Sequence, residues 1–224
     1  MDRSTNIPVR PKAWVSFQCN RCSACCCNIE DQLNLSPLEA YRIASFFCKQ
    51  GTNMSVRDVY DKYAHLHIVE KLLPLFVMNT DGPNNSCVFL QDGRCSIYDA
   101  RPTTCRIYPF FAVPGVRGRK WEIFQCFDRH AVHFSDGKIL VKDWMFQNFK
   151  KEDQKFMIME AEFMPKFGQM MRKFGDKWLN KNITKILGAI YFDYDLTLPF
   201  LAQYAKNTEM VLYMGGGESN ETQA

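Results

Sequence analysis

Hydrophobic and polar positions along the chain predict two early helices, a middle of short strands and turns, and a helical C-terminal stretch. Residues 1–18 read as extended, broken by Pro8 and Pro11. In SPLEAYRIASFFCKQG (36–51), Ser36 suits a helix N-cap, Pro37 the first helical position and Glu39 the reciprocal bond of a capping box, and Gly51 ends the helix. A second helix is predicted from Ser55, with Asp58 near its positive end, running through VYDKYAHL (59–66). PLFVMN (74–79) reads as a buried strand and DGPNNS (81–86) as turns. CVFLQDGRCSIY (87–98) predicts a hairpin about Asp92-Gly93, and IYPFFAV and KWEIFQCF predict a second one around PGVRGR (114–119). From about Lys142 the pattern turns helical. Phe156, Met159, Phe163, Phe167, Met170, Phe174 and Trp178 recur at steps of three or four, with Pro165 expected to kink or divide that helix. NITKILGAIYF (182–192) and TLPFLAQYAKN (197–207) predict two further short helices, and GGGESNETQA (215–224) a mobile tail.

The expected class is α+β. A loop-rich, cysteine-stapled domain with short β-hairpins and helices spans 1–140, a helical extension 141–213 and a tail 214–224. Composition is ordinary for a globular chain, with 46% hydrophobic and 23% charged residues, which excludes wholesale disorder. MDRSTNIPVR has no apolar signal region, and the longest apolar run, LLPLFVM (72–78), is too short for a bilayer span. The expected location is therefore cytoplasmic, without a membrane, where thiols stay reduced.

That compartment sharpens the meaning of FQCNRCSACCCN (17–28), which holds five of the ten cysteines. Buried inert thiols do not gather so densely in a polar loop, and a disulfide framework belongs to secreted chains. Cys19, Cys22 and Cys25 stand at three-residue intervals, the spacing of a ferredoxin-type run whose fourth ligand is distant. Structural zinc more often uses separated C-x2-C pairs. Cys87, Cys95, Cys105 and Cys126 lie at or beside predicted turns and strand ends. With Cys19, Cys22, Cys25 and Cys26 they suffice for two four-thiolate sites. Adjacent Cys25 and Cys26 are expected to diverge, as neighbours do in extended backbone. The net charge of +4 would suggest nucleic acid, but two such sites at about −2 each would bring it to roughly zero. Basic residues are scattered and no aromatic-plus-arginine module occurs, so nucleic acid is not the expected partner.

FQCNRCSACC, then CVFLQDGRCSIYDARPTTCRIYPF, then Cys126, resembles the YkgJ-type cysteine-cluster family, the CxxCxxCC zinc- or iron-chelating domain, over roughly residues 15–130. The resemblance implies metal binding by Cys19, Cys22, Cys25, Cys26, Cys87, Cys95, Cys105 and Cys126. Ala24 and Val88 stand where the family often has Gly and Pro, and neither change removes a ligand. Cys27 and Cys48 fall outside the pattern, Cys27 as a spare thiol and Cys48 as core beside Phe46 and Phe47. Arg101 and Arg106 bracket Cys105 and are expected beside the sulfurs, offsetting their charge, while Arg21 and Arg94 adjoin Cys22 and Cys95. His130 and His133 offer a nitrogen ligand in reserve, whereas His65 and His67 would face different sides of a helix.

Three function classes follow. The leading one is a metal-centre protein for redox, metal handling or sensing, holding iron–sulfur, with a 4Fe–4S cluster ahead of zinc because of the C-x2-C-x2-C run. The second is a structural zinc module presenting the Met/Phe helices to a protein partner. The third is an enzyme. A flagellin lysine methylase carries a similar cysteine cluster, yet HExxH, P-loop, GxSxG and GxGxxG signatures are all missing here, and with them any nucleotide- or methyl-donor motif. No catalytic residue is assigned.

Overall fold

The computed structural model describes residues 7–69, 73–115, 120–126, 134, 137–174 and 176–217. In chain order the elements are β1 (Ile7–Pro8), β2 (Trp14–Val15), α1 (Pro37–Lys49), α2 (Val56–Tyr63), β3 (Ala64–Val69), β4 (Leu73–Met78), β5 (Thr80–Asp81), β6 (Ser86–Cys87), β7 (Leu90–Gln91) and β8 (Arg94–Cys95). Then follow α3 (Thr103–Ile107), β9 (Phe110–Pro114), β10 (Trp121–Gln125), β11 (Ile139–Leu140), α4 (Val141–Asn148), α5 (Lys151–Lys173), α6 (Asp176–Leu187) and α7 (Phe200–Gly217). The fold is mixed α+β, built from helices and short antiparallel strand pairs without a closed sheet among the described residues.

The chain forms two compact units, Met1–Asn34 with Met78–Met157, and Leu35–Val77 with Ile158–Ala224. They cut across the division expected at residue 140. The reason is the aromatic core of the second unit. Tyr60 and Phe76 lie 4.5 Å apart between ring centres, and Tyr191 is 5.0 Å from Phe76, so the early helices share one interior with the chain's last third. Tyr60 donates to the Leu35 carbonyl and Tyr191 to the Pro74 carbonyl, which satisfies both buried hydroxyls.

Both early helices start with capping boxes: Ser36 with Glu39, and Ser55 with Asp58. The second helix stops at Tyr63. Ala64–Val69 is strand β3, paired with β4, and not the helical continuation expected from AHL. Ile68 and Val69 are β-branched, and pairing with β4 outweighs the helical reading. Pro165 sits inside an undivided α5 of 23 residues. Its ring removes one backbone bond of the ladder, while Phe163 and Phe167, buried and stacked at 5.3 Å, hold the helix in place. Four residues of the apolar stripe, Phe156, Phe163, Phe167 and Met170, are buried. Those four positions belong to the core. α7 is longer than the short helix expected, and it runs through Gly215 into the expected tail. A Cβ at buried Gly215 would overlap Met170, so close packing holds this end. Residues 116–119 of the second hairpin's loop and 218–224 of the tail lie outside the described residues.

In the first unit, β1, β10 and β9 form an antiparallel sheet, with Phe124 opposite Phe111. Its core includes Val15, Phe17, Ile107, Phe110, Val141 and Met145. Phe17 meets Tyr108 and Trp144 edge-on at 5.6 and 5.4 Å, so the residue that begins the cysteine run is anchored in that core.

Candidate metal centre

From Phe17 the chain enters an irregular segment in which Arg21, Ser23 and Asn28 all take positive φ. A single 3-10 turn, Ala24–Cys26, forms inside it, closed by Cys26 N–H to the Ser23 carbonyl at 2.9 Å. Two hairpins clamp this segment. Ser23 Oγ donates to the Gly93 carbonyl at the tip of the β7–β8 hairpin, 2.6 Å away. Asn28 and Ile29 donate their backbone N–H groups to the Asn84 and Asn85 carbonyls, in the β5–β6 turn, at 2.7 and 3.1 Å. Asp92 and Gly93 have φ of 48° and 71°, the left-handed pair that an Asp-Gly hairpin tip needs. Register then sets Cys95 opposite Leu90 and Cys87 opposite Thr80.

The clamp gathers thiols from four segments. Cys25, Cys26, Cys87, Cys95 and Cys105 lie close enough to act on one another's ionisation. The Cys26 thiol is pushed far up by its hydrogen bond with Cys25, then by burial, then by the charges of Cys25, Cys105 and Cys87. Burial, with Cys95 and Cys25, pushes Cys87 up to about 11 against the pull of the Phe89 N–H. Cys95 also rises through burial, opposed by the Ile97 N–H and the Arg101 charge. Cys87 and Cys95 thus repeat one local device, a sulfur accepting the backbone N–H two residues on. Cys25 and Cys26 do not diverge as expected, because they lie in a 3-10 turn and not in extended backbone, and their side chains hydrogen-bond to each other.

Such a group suits a soft or borderline cation. Thiols that raise one another's pKa stay protonated together, and a cation that binds them as thiolates would displace those protons. Cys19, Cys22 and Cys25 are exposed, and Cys26, Cys87, Cys95, Cys105 and Cys126 half-buried. Among the described residues, no three His, Cys, Asp or Glu side chains already stand at metal-holding geometry. Cys126 is placed by its backbone N–H, which donates to the Pro109 carbonyl at 2.8 Å.

The two arginines beside Cys105 have different tasks. Arg101 stacks on Tyr98, 3.5 Å from its ring centre, and donates Nε to the Tyr98 carbonyl, from where its charge reaches Cys95. Arg21 lies over the same ring at 5.0 Å. Arg106 is committed elsewhere, which revises its expected place beside sulfur. Its Nε donates to the Arg101 carbonyl, Nη1 to the Asn148 carbonyl, and Nη2 to both carboxylate oxygens of Asp153 at 2.9 Å. Arg106 therefore locks the short helix that carries Cys105.

Cys27 and Cys48 are engaged apart from the coupled group. Cys27 accepts from Ser86 Oγ at 3.5 Å and faces the Ser23 carbonyl, and Cys48 donates to the Met54 carbonyl at 3.2 Å. His65 and His67 are exposed and share one face of β3, because the segment is a strand and not a helix. His130 and His133 lie outside the described residues. One neighbour escaped the sequence reading altogether. Cys87 donates its thiol to the Met78 sulfur at 3.3 Å, and Met78 is only 1% exposed. A methionine at a strand end carries no local signal of such a contact.

A family model described as "CxxCxxCC: putative zinc- or iron-chelating domain" matches residues 18–133, more than half of the chain. No curated protein and no solved structure matches. No helix among the described residues is long and apolar enough to cross a membrane.

Proposed function

The chain belongs to the CxxCxxCC zinc- or iron-chelating family, and from that premise we propose that its cysteines hold an iron–sulfur cluster in a redox or metal-sensing protein of a reducing compartment. The observation that supports this most is the double hairpin clamp, which brings Cys25, Cys26, Cys87, Cys95 and Cys105 into mutual electrostatic range. The reading adds Cys19, Cys22 and Cys126 to these five, on the family resemblance of their positions in the sequence. The spacing of Cys19, Cys22 and Cys25 favours iron–sulfur. Such a cluster would supply one-electron chemistry. The chain would contribute the thiolates, the Phe89 and Ile97 N–H donors and the Arg101 charge, all of which ease ionisation of sulfur.

Zinc is the second reading, favoured by the paired N–H to sulfur bonds at Cys87 and Cys95, since they recur at hairpins that offer thiolates to a single ion. Anaerobic purification with iron, zinc and sulfide analysis and a visible spectrum decides between them. Brown protein containing iron and sulfide, losing colour in Cys25→Ser and Cys87→Ser but keeping it in Cys48→Ser, is expected. Colourless protein with zinc would move the assignment to the second reading. Ordered protein holding neither metal under these conditions would refute both.

A further inference from the structure

We propose that Trp14 and Phe146, with the lysines around them, form a patch that rests on the surface of an anionic lipid membrane. The inference goes beyond the metal centre and is independent of which metal the cysteines hold. Both rings are uncovered, Trp14 at 66% exposure and Phe146 at 85%. Neither serves the interior beneath it, because Val15 on β2 and Val141 and Met145 on α4 fill the core from the opposite sides. One backbone frame carries the patch. Trp14 pairs opposite Leu140, and the N–H groups of Val141 and Lys142 donate to the Ala13 and Pro11 carbonyls at 3.1 and 2.9 Å, which sets the start of α4 against the approach to β2. Trp14 and Leu140 therefore share the face that points away from Val15. Lys142 and Phe146 stand one turn apart on the exposed side of α4. Lys12 and Lys138 are exposed two residues before Trp14 and Leu140. Lys150 Nζ, bonded to the Gln147 carbonyl at 2.6 Å, adds a charge just beyond Phe146. With Arg10, five cations over residues 7–16 and 136–150 stand against two carboxylates, Asp143 and Asp136, the latter outside the described residues.

The chemistry selects the partner. Tryptophan and phenylalanine rings settle at the boundary between headgroups and acyl chains, while lysines beside them attract anionic headgroups. A protein partner would have to offer a pocket to each of two projecting rings. A bilayer interface yields around them wherever they stand. Neither attraction suffices alone, so the contact is reversible and needs both. It requires no spanning segment, and none of the described helices is long and apolar enough to be one.

The test uses the full chain, purified anaerobically, with vesicles of phosphatidylcholine alone and of equal parts phosphatidylcholine and phosphatidylserine. The chain should sediment with the anionic vesicles and bind the neutral ones at least about tenfold more weakly. High salt should release it. Tryptophan emission should shift to the blue on binding, and Trp14→Phe should keep the binding but lose the shift, since Trp121, Trp144 and Trp178 are already half-buried. Replacing Lys138 and Lys142 together by Gln should weaken binding about 25-fold, at about fivefold for each charge. Equal or absent binding to the two vesicles, a blue shift that survives in W14F, or unchanged binding in the lysine double variant would each overturn the proposal. Binding to polyglutamate or single-stranded DNA without binding to vesicles would overturn it too, and would give the patch to a protein or a nucleic acid. The wild-type vesicle comparison stands alone should a variant fold poorly. Metal is measured on the same preparation, and a metal-loaded chain that ignores anionic vesicles defeats this proposal only.

Discussion

Removing the carboxylate of Asp153 should do more damage than any other single polar change in the cysteine-bearing unit. Asp153 is fully enclosed and Arg106 only 13% exposed at the side chain. The carboxylate accepts Arg106 Nη2 on both oxygens at 2.9 Å and the Lys150 N–H at 2.8 Å, so it also caps the start of α5. Two unit charges at that separation attract by about 5–6 kcal/mol at an effective dielectric near 20. Most of this merely offsets desolvation, so the intact pair adds little net stability. Breaking it is another matter, because an uncompensated guanidinium is left behind at a cost of about 3–5 kcal/mol. Asp153→Ala should sit at the upper end of that range. Asp153→Asn should sit near the lower end, since its amide oxygen still accepts. Against a total of about 5–15 kcal/mol, either loss is large. Urea denaturation followed by near-ultraviolet circular dichroism measures it. The double replacement Arg106→Met, Asp153→Leu should be less destabilised than the sum of its singles, because no lone charge remains. Helix α3 is held by Arg106, so if Cys105 serves the proposed centre the Asp153 variants should also release metal faster. A cost below about 1 kcal/mol for Asp153→Ala, or strict additivity in the double variant, would refute the reasoning.

Other consequences can be tested in parallel. Burial, and then the neighbouring Glu39, pushes Glu160 up to about 7 from its ordinary 4.5. The folded chain therefore keeps a proton there that the unfolded chain has already lost, and this contribution, complete below pH 4.5, fades as pH rises through 7. Wild type should lose stability between pH 5 and pH 8, a decline that Glu160→Gln reduces; an identical pH slope in the variant would contradict this. Ser36→Ala removes the side chain that accepts the Glu39 N–H and should cost about 1 kcal/mol in thermal or urea denaturation. Chelation under anaerobic conditions should raise amide exchange in residues 17–29 and 80–97 before the interior of α5 and α7; uniform exchange would show that metal does not order the clamp.

Local chemistry was legible from residue order. Ser36 with Glu39 and Asp92 with Gly93 each act over a few residues, so their readings needed no knowledge of distant neighbours. Where tertiary contacts compete with local preference, the reading failed. Ala64–Val69 became a strand through pairing with β4, and α5 carried Pro165 without dividing. The site divides along the same line. Sequence alone singled out eight cysteines by type and spacing. It was silent on Ser23 reaching the Gly93 carbonyl, on Arg106 choosing Asp153 over sulfur, and on Met78 lying against Cys87. Those contacts join residues 9 to 70 positions apart, where no periodicity operates. Only the packed chain decides which polar groups lose water together and must then satisfy one another.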